Sequence, residues 1–191
     1  MSWQKLLCDP RFYLLLSRCD EDRAAEIKAA GCLACGGVLH SAAFRRKPRG
    51  GPVGLGEDHE RRCSFCCAED GCRKRRTPPS LRFLGRKVYL GAVVVLVSAM
   101  RKGATPARMR TLRDLLGVSR RTVERWREWW RTTFTETRCW REAAQGFVPA
   151  VETGRLPASL LERFAGDEES RLVFLLRLLA PITGGFAAHA R

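Results

Sequence analysis

Four of the nine cysteines fall within ten residues, in CSFCCAEDGC (63–72), and two more stand upstream in GCLACGG (31–37). The stretch that joins them, SAAFRRKPRGGPVGLGEDHERR, is rich in Gly, Pro and Arg. Such a segment offers little apolar surface for a core of its own, so a fixed fold over 31–80 must be held together through sulfur.

The kind of sulfur chemistry follows from the compartment. The N-terminal apolar stretch LLCDPRFYLLL is broken by Asp9, Pro10 and Arg11, and no small-residue cleavage site follows it, so it does not read as a secretory signal. The expectation is a cytoplasmic protein, where thiols stay reduced. Nine cysteines there point to metal ligands or reactive thiols instead of disulfides. A redox CxxC sits at a helix start within strand–helix alternation, and no such alternation surrounds Cys32 and Cys35. A structural zinc ion is expected.

Cys32-x-x-Cys35 followed by Gly36 and Gly37 has the form of a zinc knuckle. Its two thiolates lie on a tight turn, and the glycines let backbone N–H groups turn in toward sulfur. A tetrahedral site needs two more ligands from a second turn. Cys63-x-x-Cys66 has the tightest spacing, while Cys67-x4-Cys72 also fits. RCSFCC reads as a short strand in which Cys66 and Cys67 point to opposite faces, and Gly71 stands just before Cys72. The favoured set for Zn2+ is therefore Cys32, Cys35, Cys67 and Cys72, with Cys63 a small hydrophobe or spare thiol. His40 or His59 can replace one sulfur; both read as ordinary loop histidines. Cys8, Cys19 and Cys139 lack partner spacing and are expected in the core.

Charge is the second constraint. Residues 31–131 hold 23 basic and 8 acidic side chains, while both flanks are neutral, so the whole formal +15 lies in the middle of the chain. That is the electrostatic footprint of a module that binds a polyanion. Two basic runs lie near the cysteines: RRKPRGG, with Arg46, Lys47 and Arg49, and the RKRR of Arg73, Lys74, Arg75 and Arg76. Both are expected to touch phosphates.

ATPARMRTLRDLLGVSRRTVERWREWW (104–130) carries the strongest helical signal. Pro106 opens a helix, and Met109, Leu112, Leu115 and Leu116 form its apolar stripe. Gly117 ends it, Val118 plugs the turn, and Ser119 caps a second helix with Val123, Trp126 and Trp130 on its buried face. Helix, three-residue turn, helix is the helix-turn-helix pattern. Arg120, Arg121, Thr122 and Arg125, with Ser119, lie off the stripe at the end that meets the major groove, where Arg reads guanine. The apolar run Val88–Met100 is too short for the roughly 20 residues a bilayer requires and reads as a buried third helix, so no membrane is expected.

Cys32-Leu-Ala-Cys35-Gly, a second pair ending in Cys72-Arg-Lys-Arg-Arg-Thr, and then LGVSRRTVERW together resemble the N-terminal DNA-binding part of bacterial insertion-sequence transposases. The resemblance spans roughly residues 31 to 131, about half the chain. It implies a zinc ribbon before a helix-turn-helix. It maps Cys32, Cys35 and Cys72 onto ribbon ligands and Arg120, Arg121 and Arg125 onto the recognition helix, and it leaves the fourth ligand open among Cys63, Cys66 and Cys67. Those transposases cut DNA with three carboxylates that hold two metal ions on an RNase-H-like domain. Such chemistry needs acids from separate elements of a mixed α/β fold. After Trp130 only about 60 residues remain, and they read as helices. Asp167, Glu168 and Glu169 sit at a helix start, where they cap. No nucleophile–base–orienter set accompanies the three histidines.

The expected fold is mainly α: an N-terminal helical segment (1–30), with Asp20 capping its second helix and Gly31 ending it; a small zinc ribbon of short β-hairpins (31–80); a trihelical helix-turn-helix (81–134); and C-terminal helices (135–191). Leu172, Val173, Phe174, Leu175, Leu176, Leu178 and Leu179 make the last helix apolar on most sides, so it must be buried, either on Phe134, Trp140 and Phe147 or in a homodimer seam. The expected function is a zinc-stabilised, non-enzymatic binder of double-stranded DNA, a transposase-related accessory protein or a transcriptional regulator. The alternatives are a transposase with its own metal-dependent nuclease, or an RNA-binding zinc protein.

Overall fold

A computed structural model of the protein describes residues 3–52, 54–85, 88–100 and 105–184. Ala104 and residues 185–191 of the expected elements lie outside these. The chain is roughly half helical, with small antiparallel sheets. It starts with α1 (Trp3–Cys8) and α2 (Pro10–Ala29). Asp9 caps α2 by accepting from the Arg11 N–H at 2.9 Å, and Pro10 opens it. Asp20 does not start a helix. It lies inside α2, on the same buried face as Phe12, Tyr13, Leu16 and Ala24. Gly31 ends the helix at φ 72°.

The cysteine-rich segment forms two small sheets. Strands β1 (Leu39–Ser41), β4 (Phe65–Cys67) and β5 (Arg75–Arg76) pair antiparallel in the order β1-β4-β5. Strands β2 (Phe44–Arg45) and β3 (Arg61–Arg62) make a second ladder within what reads as a loop. The central sheet alternates as period two requires. Leu39, Phe65 and Cys67 face inward, while His40, Cys66 and Arg75 share the other face.

The helical body is built around α3 (Gly91–Ala99). Ala92 to Val97 are essentially without solvent exposure. The helix begins later than the apolar run because Tyr89 and Leu90 are engaged in β-bridges to Arg49 and Phe83. A helix buried all round is expected to be apolar all round, and this one is. It packs on α1, on α5 (Arg120–Arg131) and on α8 (Glu168–Leu179).

Before α5 comes α4 (Pro106–Leu116), joined to it by Gly117, Val118 and Ser119. Gly117 has φ 63°, a conformation that disfavours a side chain, although there is open space where a Cβ would project. Val118 is completely buried. Leu112 and Leu116 are buried, but Leu115 is 51% exposed, so the stripe of α4 is narrower than its sequence suggests. Ser119 caps α5, accepting from the Thr122 N–H at 3.3 Å. Trp130 and Phe134 stack edge to face, with centroids 4.7 Å apart. This joins α5 to α6 (Arg138–Ala144), whose Trp140 extends the aromatic run. After α7 (Ala158–Leu161), Asp167 caps α8. Leu172, Leu175, Leu176 and Leu179 of α8 are buried against the body and Val173 and Leu178 are half-buried, but Phe174, expected inside, is exposed and stacks on Phe164 at the surface. No helix among the described residues is long and apolar enough to cross a membrane.

A buried polar knot fastens the cysteine-rich segment to this body. Arg82 donates through Nε to Asp20 at 2.9 Å, and its other nitrogens donate to the carbonyls of His59 at 2.9 Å and Arg61 at 3.0 Å. Asp20 also accepts from Ser80 Oγ at 2.5 Å and the Leu81 N–H at 2.7 Å. Arg62 donates to the carbonyls of Pro78 and Thr183. The guanidiniums of Arg46, Arg62 and Arg82 all approach the ring of Phe83.

His59 sits in the same region, buried, with Nδ1 3.2 Å from Ser17 Oγ. Burial, and secondarily the charge of Arg82, push its pKa from 6.5 down to about 4. The folded protein therefore keeps His59 neutral where an unfolded chain protonates it. That stabilising contribution is full above pH 6.5 and is lost as pH falls through about 4. Urea midpoints measured at neutral pH and near the lower limit will show wild type losing on the order of 2 kcal/mol more than His59→Gln.

Candidate metal centre

Two turns, one from each end of the cysteine-rich segment, bring four sulfurs together. The first follows α2. The Cys32 N–H donates to the Gly37 carbonyl at 2.9 Å, and the Gly36 N–H donates back to the Cys32 carbonyl at 2.8 Å. Gly36 has φ 74°. A Cβ on Gly37 would lie 2.5 Å from Glu69 Cγ and 3.3 Å from Cys35 Sγ, so close approach of the second turn selects glycine there. In that second turn the N–H groups of Cys72 and Arg73 both donate to the Glu69 carbonyl, at 2.9 and 3.0 Å. The Ala68 N–H donates to the Val38 carbonyl at 2.9 Å and locks the two turns in register.

The sulfurs of Cys32, Cys35, Cys67 and Cys72 all lie within 4.8 Å of one another. Cys32 and Cys72 are 3.7 Å apart, and Cys35 and Cys67 are 3.4 Å apart. The four could hold a metal ion. They are the expected set. Cys66 turns away, its thiol 3.5 Å from the Arg73 carbonyl, and Cys63 packs against the small apolar cluster of Ala24, Leu39 and Phe65. His40 is exposed on the opposite sheet face, and His59 is bonded to Ser17, so neither joins. Of the remaining thiols, Cys19 and Cys139 are half-buried, while Cys8 is exposed and does not belong to the core.

The thiols are electrostatically unequal. The Ala34 N–H, helped by the Cys35 N–H and the sulfurs of Cys72 and Cys35, outweighs burial and brings Cys32 down to about 7. The Glu69 N–H acts to lower Cys67, but burial and the sulfurs of Cys35, Cys32 and Cys72 together push it up to about 12. Four thiols this close cannot all ionise beside one another. A cation among them reverses that balance and makes four thiolates favourable together.

The basic candidates divide into anchored and outward-facing groups. Arg76 donates to the Gly31 carbonyl at 2.9 Å, beside the first turn. Arg75 donates to Ser64 Oγ at 2.8 Å and the Ala42 carbonyl at 2.7 Å. Arg46 donates to the Gly85 carbonyl at 2.7 Å, and burial holds its pKa below the usual arginine value. These hydrogen bonds tie the segment together, while Arg75 stays exposed. Arg73 pairs with Asp70. Lys47, Arg49 and Lys74 are exposed.

On α5, Arg120, Arg121 and Arg125 are exposed, with Arg120 3.0 Å from Glu124. Thr122 departs from its expected place on that face. It is buried, and its hydroxyl lies 3.0 Å from Ser119 Oγ, so both side chains serve the cap. The Asp20–Arg82 pair escaped the sequence reading, yet a signal existed. Tyr13, Leu16, Asp20 and Ala24 follow helical spacing, so the acid falls on an apolar stripe. Comparisons with family models, with curated proteins and with solved structures returned no match.

Proposed function

We propose that the chain is a zinc-stabilised DNA-binding protein. Zinc fits the donor set: four thiolates with bonds of about 2.3 Å in a tetrahedron place sulfurs roughly 3.8 Å apart. The sulfur pairs at 3.7 and 3.4 Å need only small adjustment. The ion is structural, since four cysteine ligands leave no position open for a substrate.

The observation that carries the DNA reading is the N-terminal end of α5. It follows a three-residue turn whose Val118 is buried, and it exposes Arg120, Arg121 and Arg125 while Val123, Trp126 and Trp130 hold its other face in the core. A helix anchored on one side, with three arginines at its positive end, suits insertion into the major groove of duplex DNA. The mid-chain charge surplus supports the same reading. In this reading α4, the turn and α5 are a helix-turn-helix. The protein serves as an accessory to transposition or as a transcriptional regulator, by binding and not by catalysis.

Fluorescence anisotropy with labelled duplexes at two salt concentrations tests this. The zinc-loaded protein will prefer DNA flanking its own gene over random duplex, and binding will weaken as salt rises. Arg121→Ala will cost about 1–3 kcal/mol on the preferred duplex and reduce the preference. Equal weak binding to every duplex, unchanged by the substitution, would sink the proposal.

A further inference from the structure

The outward face of the β1-β4-β5 sheet carries a row of residues that neither the metal cluster nor the core uses. His40 stands directly opposite Cys66, and Cys66 directly opposite Arg75. Directly opposed residues project to the same side of a sheet. At the Arg75 end, its guanidinium carbon lies 5.4 Å from the centroid of the Phe44 ring. An imidazole, a guanidinium and a benzene ring thus share one small surface.

Two further features distinguish this surface from ordinary packing. Arg75 is held by Ser64 Oγ and the Ala42 carbonyl, so the plane resting on Phe44 is fixed before any partner arrives. Phe44 nevertheless stays 40% exposed. A single exposed phenylalanine needs no explanation. A phenylalanine paired with an anchored guanidinium and bordered by cations is different. Lys74 precedes Arg75 but stands opposite Cys67, on the other side of its strand, and the exposed Arg45 and Arg61 face each other on the side of the β2-β3 ladder away from Phe44, so these cations flank the surface without lying on it. Like charges placed directly opposite destabilise a ladder, even with Glu57 paired to Arg45. A polyanion running past them relieves that cost.

The geometry points to a stacking site for unpaired bases of single-stranded DNA on this face, with Phe44, Arg75 and His40 as the platform and the flanking charge of Lys74, Arg45 and Arg61 drawing the strand toward it. Bases have flat π faces that stack on aromatic rings and guanidinium planes, and a basic border tracks the backbone. Duplex DNA hides those faces within its own stack, so it does not fit here. The site rests on the DNA-binding reading and extends it: α5 takes the duplex, and the sheet takes a strand that is locally open.

The test uses the full-length, zinc-loaded protein with a short oligothymidylate and, separately, the preferred duplex. Phe44→Leu keeps apolar bulk but removes the ring, and Phe44→Trp keeps a ring. Phe44→Leu will weaken oligothymidylate binding roughly 5- to 100-fold, and Phe44→Trp will retain it. Neither will alter duplex affinity, while Arg121→Ala will do the reverse. Metal content and melting temperature, measured on each variant, identify any loss that comes from misfolding. Oligothymidylate affinity unchanged in folded Phe44→Leu overturns the stacking site while leaving the duplex reading intact. Failure of the wild type to bind either nucleic acid overturns both.

Discussion

Replacing Cys67 by serine will empty the metal centre and unfold residues 31–80, while the helical body keeps most of its ellipticity. The expectation follows from how small an apolar core that segment has of its own. Its own apolar cluster is Ala24, Leu39 and Phe65, together with the ligand cysteines and a few half-buried neighbours. None of its strands exceeds three residues. Structural zinc sites of this kind supply apparent free energies of about 10–16 kcal/mol, far more than five short strands return. Cys67 is the most deeply buried of the four cysteines, and a serine there removes one of the four clustered sulfurs. Metal analysis will read about one equivalent in wild type and none in Cys67→Ser, and limited proteolysis will cut the variant within 31–80. Cys66→Ser will keep its metal, because that thiol points to the other face of β4. A variant series in which Cys66 or Cys63 proves indispensable and Cys67 dispensable would refute the ligand set.

The second large effect lies in the knot. Asp20→Ala will destabilise the protein by about 3–5 kcal/mol, because it leaves Arg82 buried without its counter-charge. Both side chains of this pair are almost wholly excluded from solvent. The substitution also orphans Ser80 Oγ and the Leu81 N–H. For a chain of this size the loss corresponds to a fall in melting temperature on the order of 10 °C, measurable by circular dichroism. A double variant, Asp20→Ala with Arg82→Met, will recover only part of it. Removing both charges relieves the unpaired ion, but the carbonyls of His59 and Arg61 then lose their donor. A change within experimental error for Asp20→Ala would show that the pair contributes nothing.

The two predictions also mark where sequence reading succeeds and where it stops. Cysteine spacing and the alternation of a strand are local properties, and they place Cys67 and Cys72 in the cluster and turn Cys66 away from it. The α4–α5 turn is local as well, since Gly117, Val118 and Ser119 each act within a few residues of their position. Asp20 is different. An acid followed by charged residues reads as a helix cap, and only a partner 62 residues away turns it into a core residue. The carbonyl partners of Arg46, Arg75 and Arg76 are equally invisible, since a basic run looks alike whether its side chains meet solvent or distant carbonyls. Leu115 errs in the opposite sense: its helical spacing is right, but about half of its surface stays open.

The connection of Arg62 to Thr183 has a consequence for the order in which the protein matures during synthesis. The sulfurs of Cys32 and Cys72 are separated by 40 residues, so the metal centre can close as soon as the segment leaves the ribosome. The bond from Arg62 to the Thr183 carbonyl spans 121 residues, and the one from the Ser80 N–H to Thr183 Oγ spans 103. Lengthening a loop threefold adds only about 1 kcal/mol of closure entropy, so the later contacts are affordable but cannot precede the emergence of Thr183. In a nascent chain the four sulfurs can therefore gather first, and the contacts to the helical body close last. Until then Arg62 lacks one of its two carbonyl partners, which the turn at Ala180–Thr183 supplies.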